Sequence, residues 1–278
     1  QARFSKPEYL QQVQRIKEHI LEGDLYELNF CQEFFTEGVA CDPLALFHQL
    51  NQAAKTPFAA YYKVRNRHLL CASPERFLKK TGDRVVSQPI KGTIQRGSTP
   101  ATDAAFKAQL QASEKDRAEN VMIVDLVRND LAKTCLPGSV QVDDLFGIYP
   151  FETVFQMIST ISGRNKPGTS PIEVLRQAFP MGSMTGAPKV KSMELIEALE
   201  RSQRGLYSGA LGYISPEGDF DFNVVIRSLL YNAATEYLAF QVGGAIVYDS
   251  IPEQEYEECL LKAKALLQSI HSTIDNKA

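Results

Sequence analysis

The chain reads as a mixed α/β fold, and three observations predict it. Helical and strand periodicities alternate from end to end without a low-complexity linker or an internal repeat. Turn signals such as Arg65-Asn66-Arg67, Pro137-Gly138 and Pro216-Glu217-Gly218-Asp219 punctuate the apolar segments. A 44% hydrophobic share in 278 residues is enough to bury a large core, as one sizeable domain or two small ones.

The elements follow in order. Ser5 with Glu8 forms a capping box, and Leu10, Val13, Ile16 and Ile20 line one face of a helix that ends near Gly23. A strand over Tyr26 to Phe34 sets Tyr26, Leu28, Phe30 and Phe34 on one face and Glu27, Asn29 and Glu33 on the other, where they suit a polar cavity. Tyr61 to Val64 and His68 to Ala72 form a hairpin leading into Ser73-Pro74-Glu75-Arg76, and the strand Arg84 to Ser87 runs into Pro89-Ile90-Lys91-Gly92-Thr93. Thr102 to Lys115 and Glu119 to Leu131 read as helices. So does Ala187 to Glu200, with Pro188 in its first turn. Leu206 to Ser215 and Phe220 to Tyr231 are expected to be strands, with Tyr237 to Val242 beside them. Pro252 to Ile270 closes the chain as a helix.

Composition excludes several classes. Net charge is −3 and no Lys/Arg run exceeds two residues, so no track for a nucleic-acid backbone exists. Five scattered cysteines lack metal or redox spacing and read as buried thiols of a reducing cytoplasm. The four histidines, His19, His48, His68 and His271, fall in no zinc or triad pattern. No apolar run reaches the ~18–20 residues of a membrane span, and the first residues do not form a signal peptide. The expectation is a cytoplasmic protein. Because it starts without methionine, the chain reads as the C-terminal portion of a longer one.

Several groups carry possible chemistry. Glu255, Glu258 and Lys262 fall at i, i+3 and i+7 on one helix face, and Asp116 with Glu119 repeats the three-residue spacing. Two carboxylate pairs suit a hard divalent cation, while solvated helix charges would give the same spacing. Gln241-Val242-Gly243-Gly244-Ala245, between a strand and an acidic helix, is either a tight turn or a close backbone approach to a carboxylate. Arg227, on a strand among Val225 and Leu229, suits a bidentate carboxylate clamp or a buried ion pair. Lys91 follows an apolar strand. Partial burial there would favour the neutral, nucleophilic amine, whereas an exposed lysine beside a turn is the plainer account.

Taken together, six segments resemble the chorismate-binding enzyme family, which includes component I of aminodeoxychorismate synthase and of anthranilate synthase, and the isochorismate and salicylate synthases. They are Ser73-Pro74-Glu75-Arg76-Phe77, Pro89-Ile90-Lys91-Gly92-Thr93, Glu119 through Asp125-Leu126-Val127-Arg128-Asn129-Asp130, Gly186-Ala187-Pro188-Lys189, Val225-Ile226-Arg227-Ser228, and Asp249-Ser250-Ile251-Pro252 with Glu255, Glu258 and Lys262. The similarity runs in order from about Gly23 to Lys264.

The resemblance implies an α/β (α+β) fold of two packed, largely antiparallel sheets covered by helices, and a single chorismate-binding catalytic domain over residues 1–278. It implies magnesium held by Glu119, Glu255 and Glu258, with Asp116 standing where relatives usually have Glu. Arg227 and Tyr207 match positions that bind the enolpyruvyl carboxylate of chorismate. Gly243, Gly244 and Lys262 match contacts to the ring carboxylate, and Gly92, Thr93 and Ser183 complete the substrate set. Lys91 resembles the aminodeoxychorismate synthases, where it is the nucleophile and Glu75 the acid, whereas anthranilate synthases generally carry Ala there. Glu27 replaces the lysine of water-activating relatives and the usual Gln of ammonia users, and is expected on the ammonia side. Gln156 stands where relatives often carry a histidine that assists pyruvate elimination. A glutamine amidotransferase partner is expected to supply ammonia. The alternatives are anthranilate synthase component I and a catalytically silent binding or scaffold subunit.

Overall fold

A computed structural model describes residues 1–274, except the side chains at 265, 269 and 271–274, so that His271 lies outside the described side chains. The chain order is α1 (Lys6–Leu21), β1 (Glu27–Thr36), α2 (Pro43–Ala54), β2 (Phe58–Val64), β3 (Arg67–Ser73), β4 (Arg76–Thr81), β5 (Arg84–Gln88) and β6 (Ile90–Gln95). Then come α3 (Pro100–Ala112), α4 (Glu114–Thr134), β7 (Gln141–Pro150), β8 (Val154–Arg164), α5 (Pro171–Ala178) and β9 (Gly186–Ala187). The last third holds α6 (Lys189–Leu199), β10 (Ala210–Ile214), β11 (Phe220–Val224), β12 (Ser228–Asn232), β13 (Tyr237–Ile246) and α7 (Pro252–Ile274).

Two compact units result. The first comprises Gln1–Pro74, Thr185–Leu211 and the chain from Val224 onward. Its antiparallel sheet has the order β2-β3-β12-β13-β1-β9. Leu28 and Phe30 of β1 and Phe240 of β13 meet Tyr9, Val13 and Ile16 of α1, Leu46 of α2, and Cys259 and Ala263 of α7 in one buried cluster. Each large apolar side chain buried there contributes roughly 1.5–3 kcal/mol. The α1 entry forms as its sequence predicts, because the Glu8 carboxylate accepts from the Ser5 N–H at 2.8 Å and its hydroxyl at 2.6 Å.

The second unit comprises Glu75–Met184 and Gly212–Asn223. Its antiparallel sheet has the order β10-β11-β4-β5-β8-β6, with β7 also on β8. Leu110 of α3 packs on Phe155 and Met157 of β8, with Ile94, Phe146 and Ile148 around them.

Several boundaries differ from the sequence reading. The break between the two central helices falls at Ser113, whose hydroxyl accepts from the Asp116 N–H at 3.3 Å, so Lys115, Asp116 and Glu119 all belong to α4. Phe220 to Tyr231 is two strands, because Arg227 adopts a left-handed φ of 49° and ends the extended run. Arg227 therefore sits exposed in a bend instead of among apolar strand neighbours. Tyr207 lies in a turn before β10, and Pro188 caps α6 from outside. Gly243 and Gly244 lie inside β13, paired with Cys31 and Phe30, and form no turn.

Candidate active site

In the second unit the chemistry gathers at a β-bulge. Ile90 pairs with Ile158 and Thr93 with Gln156, so three steps along β6 match two along β8. The extra residue falls at Lys91-Gly92, where Gly92 has a φ of 92° that an L side chain rarely adopts. Lys91 is 8% exposed, and its Nζ lies 4.0 Å from Glu119 Oε2. A Cβ on Gly92 would stand 2.9 Å from the Asp116 carboxyl carbon, so α4 approaches this turn as closely as glycine allows. Asp116 and Glu119, three residues apart on α4, thus both reach the bulge. Glu119 also meets Lys115 at 4.0 Å.

Glu75 is buried just before β4. Ser183, in a short 3-10 turn at Gly182–Met184, donates its hydroxyl proton to Glu75 Oε1 at 2.7 Å. Sequence resemblance offers Ser183 as a substrate contact; the structure gives it a carboxylate to hold. Thr93 is exposed, and the register puts it on the same face as Gln156. Gln156 is 1% exposed, and its Oε1 has no hydrogen-bond partner among the described residues.

In the first unit, α7 and β13 assemble the rest. Adding a Cβ to Gly243 would bring it 2.0 Å from the Phe30 carbonyl, so the tight β1–β13 approach demands glycine. At Gly244 the same construction meets Glu255 Oε2 at 3.4 Å, Glu258 Oε1 at 3.6 Å and Lys262 Nζ at 3.8 Å. Two carboxylates and an ammonium therefore converge on the open face of Gly244. Lys262 Nζ donates to the Gly243 carbonyl and pairs with Glu258 Oε1, both at 2.8 Å. Glu255 Oε1 accepts from the Ser250 hydroxyl at 2.7 Å, which fixes the buried member of the pair. The acidic oxygens and the space that glycine leaves between them fit a hard divalent cation or the groups around it.

Glu27 is fully buried at the start of β1, on the face it shares with Asn29, Cys31 and Glu33. Tyr207 is buried with its hydroxyl 3.5 Å from Cys31 Sγ. Burial raises both groups, the phenol well above its usual range and the thiol up to about 11. Arg204 anchors this corner by donating to the Asn29 carbonyl at 2.8 Å and to Glu200 at 2.6 Å.

Each unit thus brings together its own predicted residues. Lys91, Gly92, Asp116 and Glu119 form one group and Glu75 with Ser183 another, while Gly243, Gly244, Glu255, Glu258 and Lys262 form a third. Among the described residues, the one set of three acidic or histidine ligand atoms mutually within 4.8 Å is His19, Glu22 and Asp24. It includes none of the predicted metal donors. Its members lie at the end of α1, with His19 Nδ1 2.8 Å from Asp24 Oδ2 and 3.9 Å from Glu22 Oε2, and Lys191 3.6 Å from Asp24. The Ser183–Glu75 bond and the Lys91 bulge carry no sequence signal beyond the motifs themselves, since both depend on pairing register.

The family model described as "chorismate binding enzyme" matches residues 1–268. Over 264 residues the chain is 46% identical to "Aminodeoxychorismate synthase, chloroplastic" of Arabidopsis thaliana, covering 94% of this chain and 28% of that protein. It is 40% identical over 271 residues to "Aminodeoxychorismate synthase component 1" of Klebsiella aerogenes, covering 98% and 59%. Among solved structures, anthranilate synthase component I from Streptococcus pneumoniae superimposes with a TM-score of 0.87 at 30% identity, over 96% of this chain and 58% of that one. The chain spans between about a quarter and three fifths of the length of these relatives.

Proposed function

Because the chain belongs to the chorismate-binding enzyme family, we propose that it is the catalytic part of an aminodeoxychorismate synthase, converting chorismate and ammonia to 4-amino-4-deoxychorismate. The observation that carries the reading is Lys91, buried on a bulge with Glu119 beside it, at the position where the family's aminodeoxychorismate synthases resemble this chain. The relatives carrying that name, 40–46% identical across nearly the whole chain, support it.

On this reading the neutral amine of Lys91 bonds to C2 of the ring while Glu75 delivers a proton to the C4 hydroxyl, which leaves as water. Ammonia then attacks C4 with its lone pair, the ring double bonds shift back, and the C2–N bond breaks with its electron pair leaving on nitrogen, which releases Lys91 as the neutral amine. Two easier displacements replace one difficult step. The Ser183 hydroxyl orients Glu75 throughout. Arg227 and Tyr207 are proposed for the enolpyruvyl carboxylate, Lys262 and the Gly243-Gly244 backbone for the ring carboxylate, Thr93 and Gly92 for the ring, and Glu27 for ammonia. Magnesium is the proposed cofactor, with Glu119, Glu255, Glu258 and Asp116 as its oxygen donors; when bound it supplies positive charge to the ring carboxylate. Ammonia is proposed to come from a glutamine amidotransferase subunit, in keeping with the "component 1" name of the Klebsiella relative. Among the described residues no helix is long and apolar enough to cross a membrane.

Incubation with chorismate, magnesium and ammonium, followed by mass analysis, tests the reading. A product that exchanges hydroxyl for amine and keeps its enolpyruvyl group supports it. Pyruvate with a fluorescent aromatic amine would assign the chain to anthranilate synthesis, and no turnover would leave a silent binding subunit.

A further inference from the structure

The sheet of the second unit carries a second irregularity, beside Glu75. From Arg76↔Gln88 to Lys79↔Val86, three steps along β4 match two along β5. From Leu78↔Phe222 to Arg76↔Asn223, two steps along β4 match one along β11. The extra residue lies between Arg76 and Leu78, so β4 is bulged against both neighbours at Phe77. The Phe77 carbonyl accepts from the Ser87 hydroxyl at 2.8 Å.

Where the ladder is irregular, side chains span the sheet. Arg76 Nε and Nη2 donate to the two Asp221 carboxylate oxygens at 2.9 and 3.1 Å, a bidentate fork onto β11. Arg76 Nη1 donates to Gln88 Oε1 on β5, and Gln88 Nε2 donates to Thr160 Oγ1 on β8 at 3.2 Å. The bracket crosses four consecutive strands of the sheet, β11, β4, β5 and β8. Its two middle members lie next to the proposed chemistry in sequence: Arg76 directly follows Glu75, and Gln88 precedes Lys91 by three residues. Glu75 immediately precedes the bulged strand β4 and Lys91 lies on the bulge of β6, and the bracket ties the start of β4 to the end of β5, which leads into β6.

Resting on the function proposed above, we propose that Arg76, Asp221, Gln88 and Thr160 act as a positioning bracket that sets the Glu75 carboxyl and the Lys91 amine at their working separation. On this proposal the four act through Glu75 and Lys91 and take no part in the bond changes themselves. A fixed separation matters because misplacement by about 1 Å costs on the order of a hundredfold in rate. Four hydrogen bonds link the members of the bracket, which restricts its geometry.

Gln88→Leu tests this, because it removes both hydrogen bonds of the β5 arm and puts an apolar side chain, one atom shorter, in their place. The expected result is a 10- to 100-fold fall in kcat, a chorismate KM within threefold of wild type, and a melting temperature within a few degrees. Gln88→Glu keeps an acceptor for Arg76 and should recover most of the lost kcat. A readout independent of turnover is acetic anhydride labelling mapped by peptide mass. The ratio of labelling at Lys91 to that at exposed Lys107 should change at least threefold in Gln88→Leu. An unchanged kcat, an unchanged labelling ratio, or a kcat loss that merely follows the folded fraction overturns the bracket. Wild-type protein that fails to turn over chorismate overturns the functional reading itself, whereas active wild type with an indifferent Gln88→Leu overturns the bracket alone.

Discussion

Adjacent glycines in β13 should respond in opposite ways to the same small change. Gly243→Ala places a methyl group 2.0 Å from the Phe30 carbonyl, inside van der Waals contact and against backbone that cannot swing away. The β1–β13 pair must part, and overpacking of this kind costs about 3 kcal/mol or more. In a chain of this size that corresponds to a melting temperature lowered by roughly 6–12 °C. Gly244→Ala meets nothing closer than 3.4 Å, so the methyl is accommodated, and replacing a strand glycine stabilises by about 0.5–1 kcal/mol. Yet that methyl occupies the face on which Glu255, Glu258 and Lys262 converge. Loss of one close backbone or carboxylate contact there, about 1.5–3 kcal/mol, should raise the chorismate KM roughly 10- to 150-fold. Thermal melts of both variants, with steady-state kinetics at varied magnesium and chorismate, provide the assay. A Gly243→Ala protein as stable as wild type, or a Gly244→Ala protein with unchanged KM, would refute the reasoning.

Other expectations follow from single contacts. Ser183→Ala removes the 2.7 Å bond to Glu75 and should lower kcat about 10- to 30-fold with little change in KM; a KM effect alone would make Ser183 a substrate contact instead. Arg227→Ala should raise the chorismate KM at least tenfold while kcat stays within a few-fold, and a KM that does not move rejects the clamp. Stability should fall at alkaline pH. Burial holds the Cys31 thiol at about 11 against an ordinary 9.0 and raises the Tyr207 phenol and the Cys259 thiol, so the unfolded chain ionises first. That contribution is complete below pH 9 and disappears as pH rises towards 11. Denaturation midpoints that stay level from pH 8 to 11 would contradict it.

Much of the architecture was legible because side-chain period and end signals agreed. Glu8 caps α1 as Ser5-x-x-Glu8 predicts, and Leu28 and Phe30 face the core while Glu27 and Asn29 face the other way. Motif order located Lys91, Glu75 and the α7 acids. Two features were hidden for physical reasons. Phe220 to Tyr231 is a continuous strand-like run without Gly or Pro, so the left-handed turn at Arg227 leaves no compositional trace. Gly243-Gly244 leaves a tight turn and a close backbone approach equally open by composition, and pairing within β13 decides between them: the glycines serve a close strand approach and an open carboxylate face. β7 leaves little trace in the sequence, because Gly147 and two register shifts interrupt the alternation that would mark it. Partnerships such as Ser183 with Glu75, 108 residues apart, depend on pairing that a linear reading cannot see.

The most direct measurement withholds ammonia. Wild-type protein incubated with chorismate and magnesium, then quenched and analysed by intact and peptide mass, should carry an adduct equal to chorismate less one water on the peptide containing Lys91, and added ammonium should discharge it. A chain that turns over chorismate with ammonium yet never bears that mass, or bears it equally in Lys91→Ala, would contradict the account.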